Sequence, residues 1–124
     1  MILIIGGAYQ GKLDYAKRTY NIPETDIFHC SAAEIDFSKD CIYAIEEFCY
    51  ACIREDREPG EYFKAHAEQW KDSILICQDI FCGVVPMDAQ LRRWRQETGR
   101  LCQYLSGEAE QVVRIFCGLE QRLK

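Results

Sequence analysis

The residues best suited to chemistry lie close to the start of the chain, where glycines and a lysine follow an apolar run. Gly6 and Gly11 are separated by four residues, and Lys12 comes next, a spacing typical of a phosphate-binding loop. Small residues let successive backbone N–H groups point at an anion, and the following helix N-terminus adds partial positive charge. The predicted nucleotide-binding residues are Gly6, Gly7, Ala8, Tyr9, Gln10, Gly11, Lys12 and Leu13, with Lys12 as the catalytic residue that contacts the outer phosphates. The alternative is a strand–helix turn with an exposed lysine.

One position of this loop departs from the pattern. Leu13 stands where such a loop carries the Ser or Thr whose hydroxyl binds Mg²⁺. Because leucine has no oxygen, phosphates held here would be neutralised by Lys12 and backbone dipoles alone. We therefore expect ATP or GTP as the ligand, bound with little dependence on Mg²⁺.

A carboxylate that could bind a metal follows a second apolar run. Residues Ser73–Cys77 read SILIC, which predicts a central buried strand, and Asp79 comes shortly after it. Ligands of open α/β sheets bind at the carboxyl ends of strands, so Asp79 could face Mg²⁺ held on phosphates. A hydrated loop carboxylate, or one that caps a turn, explains Asp79 equally well.

Basic residues are concentrated on a helix that Asp88 can cap. Arg92, Arg95 and Arg100 flank an apolar stripe and could bind phosphate or a neighbouring subunit. A solvated helix face is an equally good interpretation of these arginines.

Cysteines and histidines offer weaker candidates. Cys49 and Cys52 form a single C-x-x-C pair on a predicted helix, whereas a four-ligand zinc site needs more donors. His29 next to Cys30 fits a strand better than a metal site. Most of the eight cysteines lie in apolar patterns, so we expect reduced core residues, namely Cys30, Cys41, Cys49, Cys77, Cys102 and Cys117.

These candidates need a scaffold, and strand-like and helix-like segments alternate along the chain. We predict strands at 2–5, 25–30, 73–77, 111–117 and 119–124, and helices at 11–20, 39–55, 61–71 and 88–105. Ser38 would cap the second helix, Pro59-Gly60 would be a break, and Ser106-Gly107 would stop the last helix. This alternation predicts a three-layer α/β domain of the P-loop NTPase type over residues 1–124, with a mostly parallel sheet and a C-terminal hairpin strand.

Composition restricts the classes of partner. The net charge of −5 argues against non-specific nucleic-acid binding and against an anionic membrane surface. No apolar run reaches the roughly 18 residues of a transmembrane helix, and Met1 leads directly into a strand without a signal-peptide pattern. We therefore expect a cytoplasmic protein.

The second half of the chain carries several family motifs. They lie in one loop and the helix after it, at Gln78–Pro86, Arg92, Trp94, Arg95, Gly99, Arg100, Gln103 and Leu105. With the Gly6–Lys12 loop and the lysine-ended hairpin, they resemble the adenosylcobinamide kinase/adenosylcobinamide-phosphate guanylyltransferase family. The resemblance implies a nucleotide-binding protein of cobalamin biosynthesis that phosphorylates adenosylcobinamide with ATP or GTP. It also implies substrate contacts at Pro86, Arg92 and Arg95, and a homo-oligomer.

Departures from the family pattern keep two functions open. Besides Leu13, no segment matches the family's GMP-accepting histidine, because His29 lies in a predicted strand and His66 precedes the central strand. One interpretation is a kinase without a covalent guanylyl intermediate. The other is a degenerate, non-catalytic homologue that acts as a binding or assembly subunit.

Overall fold

A computed structural model describes residues 1–81, 83–84 and 86–124 of the protein. The strands are β1 (Ile2–Gly6), β2 (Ile27–His29), β3 (Cys41–Tyr43), β4 (Ile74–Gln78), β5 (Gln111–Phe116) and β6 (Leu119–Arg122). The helices are α1 (Lys12–Tyr20), α2 (Ile45–Arg54), α3 (Pro59–Ala65), α4 (Ala67–Trp70) and α5 (Ala89–Glu108), with a 3₁₀ turn at Glu24–Asp26. Cys82 and Val85, which belong to the loop predicted at 78–87, lie outside the described residues.

The strands form one sheet in the order β2-β3-β4-β1-β5-β6. The first five are parallel to their neighbours, and β6 returns antiparallel to β5 as the predicted hairpin strand. β1 is central, because Ile2 pairs with Ile74 on one side and Gln111 on the other. This position places the end of β1 in the middle of the carboxyl edge of the sheet.

Each face of the sheet buries its own core. Leu3, Leu75 and Val112 point to the face that is covered by α2, α3 and α5. Ile4 and Val113, one residue further along their strands, point to the opposite face, against α1. Successive strand residues alternate between faces, so continuous apolar runs are what a sheet buried on both sides requires. The predicted three-layer α/β architecture with a mostly parallel sheet is confirmed.

The predicted helix at 39–55 is wrong in its first part. Cys41–Tyr43 forms β3, which fills the space between β2 and β4, and α2 begins only at Ile45. Ile42 fits the helical period of the following residues. In the structure, however, it pairs with Phe28 of β2 on one side and with Leu75 of β4 on the other. Ser38 does not cap a helix, since its backbone N–H and its hydroxyl both donate to Asp36 Oδ1.

Three other boundaries differ from the expected ones. Pro59 is not part of a break but the first residue of α3, where its missing N–H and fixed φ suit a helix start. The helix predicted at 61–71 is divided into α3 and α4 at His66. The last long helix continues through Ser106 and Gly107 and ends at Glu108.

All seven described cysteines are free thiols, and most of them are core residues as expected. Burial raises the pKa of the Cys30 and Cys41 thiols to about 12. The prediction that Cys117 is a core residue is wrong. Cys117 lies exposed in the turn between β5 and β6. Among the described residues, no helix is long and apolar enough to cross a membrane.

Candidate functional site

The predicted nucleotide-binding loop follows β1, at the point where the chain connections from β1 and from its neighbour β4 lead to opposite faces of the sheet. α1 follows β1 on one face and leads to β2 at the sheet's edge, while α5 follows β4 on the other face and leads to β5. Such a switch point leaves a crevice at the carboxyl ends of the two strands between the helices. The loop after β1 and the residues after β4 therefore share one crevice.

Backbone conformation explains why two of the glycines are needed. A Cβ on Gly6 would lie 2.5 Å from the carbonyl oxygen of Ile115, so only glycine allows β1 and β5 to approach here. Gly11 caps α1 in the left-handed region at φ 92°. Tyr9 also has a positive φ of 59°, at the tip of the loop. A left-handed tyrosine is uncommon and is typical of functional loops.

Lys12 is the first residue of α1, and its side chain folds back into the loop. Only 6% of it is exposed, and its Nζ donates a hydrogen bond to the carbonyl oxygen of Gly7 at 2.7 Å. Burial lowers the pKa of Lys12, and the nearby acidic groups, Glu46 foremost and Asp79 among them, oppose that shift. The loop thus holds a desolvated ammonium group, which interacts with an anion more strongly than a hydrated one does.

A cavity of about 490 Å³ opens beside this ammonium group. It is lined by Ala8, Tyr9, Gly11, Lys12, Leu13, Asp14, Tyr43 and Gln78. Five of the eight predicted nucleotide-binding residues therefore share one cavity, which extends to the ends of β3 and β4. Leu13 forms part of the wall, where an apolar side chain replaces the expected hydroxyl.

Gln10 is not among the residues that line this cavity, and it joins the loop to the C-terminal hairpin. Its side-chain Oε1 accepts from the Cys117 N–H at 2.5 Å, and its carbonyl accepts from the Gly118 N–H at 2.9 Å. A second link runs from α1, where the Tyr15 hydroxyl donates to the Glu120 carboxylate. Burial and this hydrogen bond raise the pKa of Tyr15. Gln10, one of the predicted nucleotide-binding residues, therefore links the loop to the turn of the hairpin through two hydrogen bonds.

The structure adds Glu46, which sequence reasoning missed. Its carboxylate lies in the first turn of α2, is 6% exposed, and accepts from the Gln78 N–H at 2.8 Å. Its carbonyl oxygen accepts from the Trp94 indole N–H at 2.8 Å and ties α2 to α5. Burial raises the pKa of Glu46, and the Gln78 N–H opposes this shift. A signal was present, because Glu46 precedes the apolar residues Cys49 and Ile53 by three and seven positions, which places all three on one helical face.

Asp79 lies at the carboxyl edge beside the loop, as predicted. Its N–H donates to the carbonyl oxygen of Gly6 at 2.7 Å, and its Oδ1 accepts from the Phe81 N–H at 3.0 Å. Across the part of the chain that the structure describes, no three His, Cys, Asp or Glu side chains group to hold a metal. The metal-binding role of Asp79 therefore stays a prediction.

Arg92 and Arg95 hold the loop before α5. Arg92 donates to the carbonyl oxygens of Pro86, at 3.1 Å, and of Met87. Arg95 donates to the carbonyls of Val84, Phe81 and Gly83. Pro86, Arg92 and Arg95 also line a separate open cavity of about 310 Å³ with Gln96. The structure thus brings these three residues together, and their substrate contact stays a prediction.

The two histidines occupy different environments. His29 is exposed at the end of β2 and makes an edge contact with Tyr43, with ring centroids 5.2 Å apart. His66 stacks on Tyr62 and its Nδ1 is 2.7 Å from the Tyr62 carbonyl oxygen. Of the two histidines, only His29 lies at the carboxyl edge, where β3 separates it from the end of β4.

Replacing Glu46 tests the buried carboxylate. A raised folded-state pKa means that ionisation of Glu46 opposes folding above the unfolded pKa of about 4.3. Glu46→Gln should therefore be more stable than the wild type at pH 7, with a difference that disappears as the pH falls below about 4. Urea unfolding at pH 7 and below pH 4 measures the free energies of unfolding. Glu47→Gln is the control, because Glu47 is the exposed neighbour of Glu46. Lower stability of Glu46→Gln than of Glu47→Gln at pH 7 would contradict the assignment.

Comparison with known protein families gives one match. The family model described as cobinamide kinase / cobinamide phosphate guanyltransferase matches residues 44–123, from the start of α2 to just past β6. The match does not include the Gly6–Lys12 loop. A search of curated proteins gives no match. The family has a P-loop NTPase-like fold and acts in cobalamin biosynthesis as a kinase and transferase. Because the match covers well over half of the chain, the protein belongs to the cobinamide kinase/cobinamide phosphate guanyltransferase family.

Proposed function

We propose that the protein binds ATP or GTP on the Gly6–Lys12 loop and transfers the terminal phosphoryl group to a hydroxyl of adenosylcobinamide. The observation that carries this proposal is the position of Lys12, whose Nζ is buried inside a glycine loop at the carboxyl end of the central strand. Nζ now contacts the Gly7 carbonyl oxygen, and an entering phosphate would replace that weaker, uncharged acceptor.

Phosphoryl transfer needs charge neutralisation and positioning more than covalent chemistry from the protein. The acceptor oxygen bonds to the γ-phosphorus while the bond to the β,γ-bridging oxygen breaks. The nucleoside diphosphate leaves with that electron pair, and the hydroxyl proton passes to solvent. Lys12 and the N-terminus of α1 would stabilise the negative charge on the phosphoryl oxygens.

The residues of this loop do not suit the Mg²⁺ ion that phosphoryl-transfer enzymes normally use. Leu13 supplies an apolar wall in place of a hydroxyl, and Asp79 Oδ1 accepts from the Phe81 N–H. No described cluster of three metal-ligating side chains exists that could compensate. We therefore assign no step of the reaction to a metal at this loop.

Leu13 also supports a second function, that of a non-catalytic family member. Without a metal, Lys12 and the backbone should support nucleotide binding better than transfer. Such a protein would bind nucleotide, and would serve as a binding or assembly subunit, for instance in a homo-oligomer. Turnover of adenosylcobinamide with ATP or GTP separates this function from the kinase.

Removing the Lys12 ammonium group tests the nucleotide site. Lys12→Ala should weaken ATP or GTP binding at least about tenfold, or about 1.4 kcal/mol, because a desolvated charge contact to phosphate is lost. Lys17→Ala is the matched control, since Lys17 lies on the same helix and pairs with Glu24 at the surface. Titration calorimetry of both variants measures the change. Equal affinities of the wild type and Lys12→Ala would rule out this site.

Restoring the missing hydroxyl tests the role of the metal. The wild type should bind nucleotide with little dependence on Mg²⁺. Its phosphorylation of cobinamide should be very slow if it is a kinase, and absent if it is the non-catalytic family member. Leu13→Ser should increase the Mg²⁺ dependence of binding, because a hydroxyl then stands at the metal position. Titrations with Mg²⁺ and with EDTA measure this dependence. Rapid Mg²⁺-dependent phosphorylation by the wild type would show that another group holds the metal.

The histidines allow a test of guanylyl transfer. After incubation with GTP, the intact mass should show no added GMP, because neither histidine matches the family's nucleophile. Of the two histidines, His29 is the better candidate for accepting GMP, because only His29 lies at the carboxyl edge of the sheet. A phosphoramidate adduct that disappears in His29→Ala or in His66→Ala would overturn this expectation.

A further inference from the structure

The strand β6 forms one edge of the sheet and is open to solvent. It pairs with β5 on one side, and all of its residues are exposed. The N–H and C=O groups along such an edge are a template for pairing with another strand. Exposed apolar side chains accompany this edge, namely Phe116 at 59%, Leu119 at 73% and Leu123 at 52%. Because Phe116 and Leu119 are cross-strand partners, they form a patch rather than scattered single residues.

The hydrogen bonds of the hairpin show which backbone groups of β6 point outward. The Leu123 N–H donates to the Val112 carbonyl oxygen at 2.8 Å, so Leu123 directs its backbone groups at β5. Alternate residues of an antiparallel strand do the same, and the residues between them direct their N–H and C=O groups away. Glu120 and Arg122 are the residues that point away. Their side chains share the face of α1, where the Tyr15 hydroxyl donates to the Glu120 carboxylate.

Charge decides how two such edges can pair with each other. Outward groups must meet outward groups, so three antiparallel registers keep most of β6 in a pair of β6 strands. Two of them set Glu120 opposite Glu120 or Arg122 opposite Arg122, and like charges directly opposite are unfavourable. The third sets Glu120 opposite Arg122 and, by symmetry, Arg122 opposite Glu120. The edge is therefore self-complementary in the register that is centred on Gln121.

The same register brings the exposed leucines together. Leu119 lies opposite Leu123 of the second copy, and Leu123 lies opposite Leu119 of that copy. These are non-hydrogen-bonded pairs, in which side chains approach most closely. Both leucines lie on the face opposite Glu120 and Arg122, so apolar contacts and ion pairs form on separate faces of the sheet. The patch that includes Phe116 then continues across the two-fold axis.

We propose that the outer edge of β6 is a homodimer interface, at which two copies of this chain pair in antiparallel fashion about a two-fold axis at Gln121. The N–H groups of Glu120 and Arg122 in each copy donate to the carbonyl oxygens of the residues opposite, and the two six-stranded sheets become one. The interface is isologous, because the same surface serves both copies. It is independent of the proposed function, since it uses none of the residues that line the Lys12 cavity.

Reversing one charge tests the interface, with sedimentation velocity of the whole protein as the measurement. The wild type should change from monomer to dimer within the micromolar range, because a strand-edge interface is small. Arg122→Glu should weaken the dimer at least about tenfold, since like-charged pairs replace both opposite-charged pairs. Lys71→Glu makes the same change of charge elsewhere on the surface and should leave the dimer within about twofold of the wild type.

A charge swap then tests the register itself. Glu120→Arg should also weaken the dimer, because it sets arginine opposite arginine. An equimolar mixture of Arg122→Glu and Glu120→Arg should associate about as strongly as the wild type, since every residue again faces an opposite charge. Glu120→Arg also removes the hydrogen bond from Tyr15, so circular dichroism checks its fold. Leu119→Asp is a second variant at an exposed position, and it should weaken the dimer about tenfold by placing a carboxylate in the apolar patch.

Three results would overturn the inference. The first is a wild type that stays monomeric throughout the micromolar range. The second is an oligomer that Arg122→Glu and Leu119→Asp leave as stable as in the wild type, which would place the interface elsewhere. The third is a mixture of folded Arg122→Glu and Glu120→Arg that associates no better than either variant alone.

Discussion

The structure depends on the way that β1 is held between β4 and β5. All five of its residues pair with both neighbours, and Leu3 and Ile4 are fully buried on opposite faces. The close approach of Gly6 to Ile115 and the hydrogen bond from the Asp79 N–H to Gly6 extend this restraint to the last residue of the strand. A loop that starts from so restrained a position has less conformational entropy to lose when a ligand binds.

The hairpin restrains the other side of the loop. Gln10 accepts from the N–H groups of Cys117 and Gly118, which lie more than a hundred residues later in the chain. The link from Tyr15 to Glu120 holds α1 against the same hairpin. The antiparallel strand β6 thus stabilises the start of α1 as well as the edge of the sheet.

The candidate site contains two buried residues of opposite charge, Lys12 and Glu46. Among the acidic groups that raise the pKa of Lys12, Glu46 has the largest effect, and Lys12 in turn lowers the pKa of Glu46. Two opposite charges in a poorly solvated region reduce the free-energy cost of burying either one, although they do not remove it. Ala44, in the left-handed region at φ 65°, turns the chain from β3 into α2 and so sets the position of Glu46. The electrostatics of Lys12 therefore depend on the connection that follows β3.

The sequence by itself determined the elements whose pattern allows one interpretation. The apolar runs of β1 and β4, the Asp88 cap and long stripe of α5, and the glycine spacing of the loop all specify their structures locally. Only the tertiary structure decided β3, because Ile42 fits both a helical and a strand pattern, and the need of β2 and β4 for a hydrogen-bonding partner selects the strand. Glu46 and Gln10 likewise obtain their roles from residues distant in the chain, Gln78 and Cys117. Local sequence patterns predict the secondary structure and the chemical type of a residue. Its hydrogen-bond partners come from distant parts of the chain, and residue spacing does not predict them.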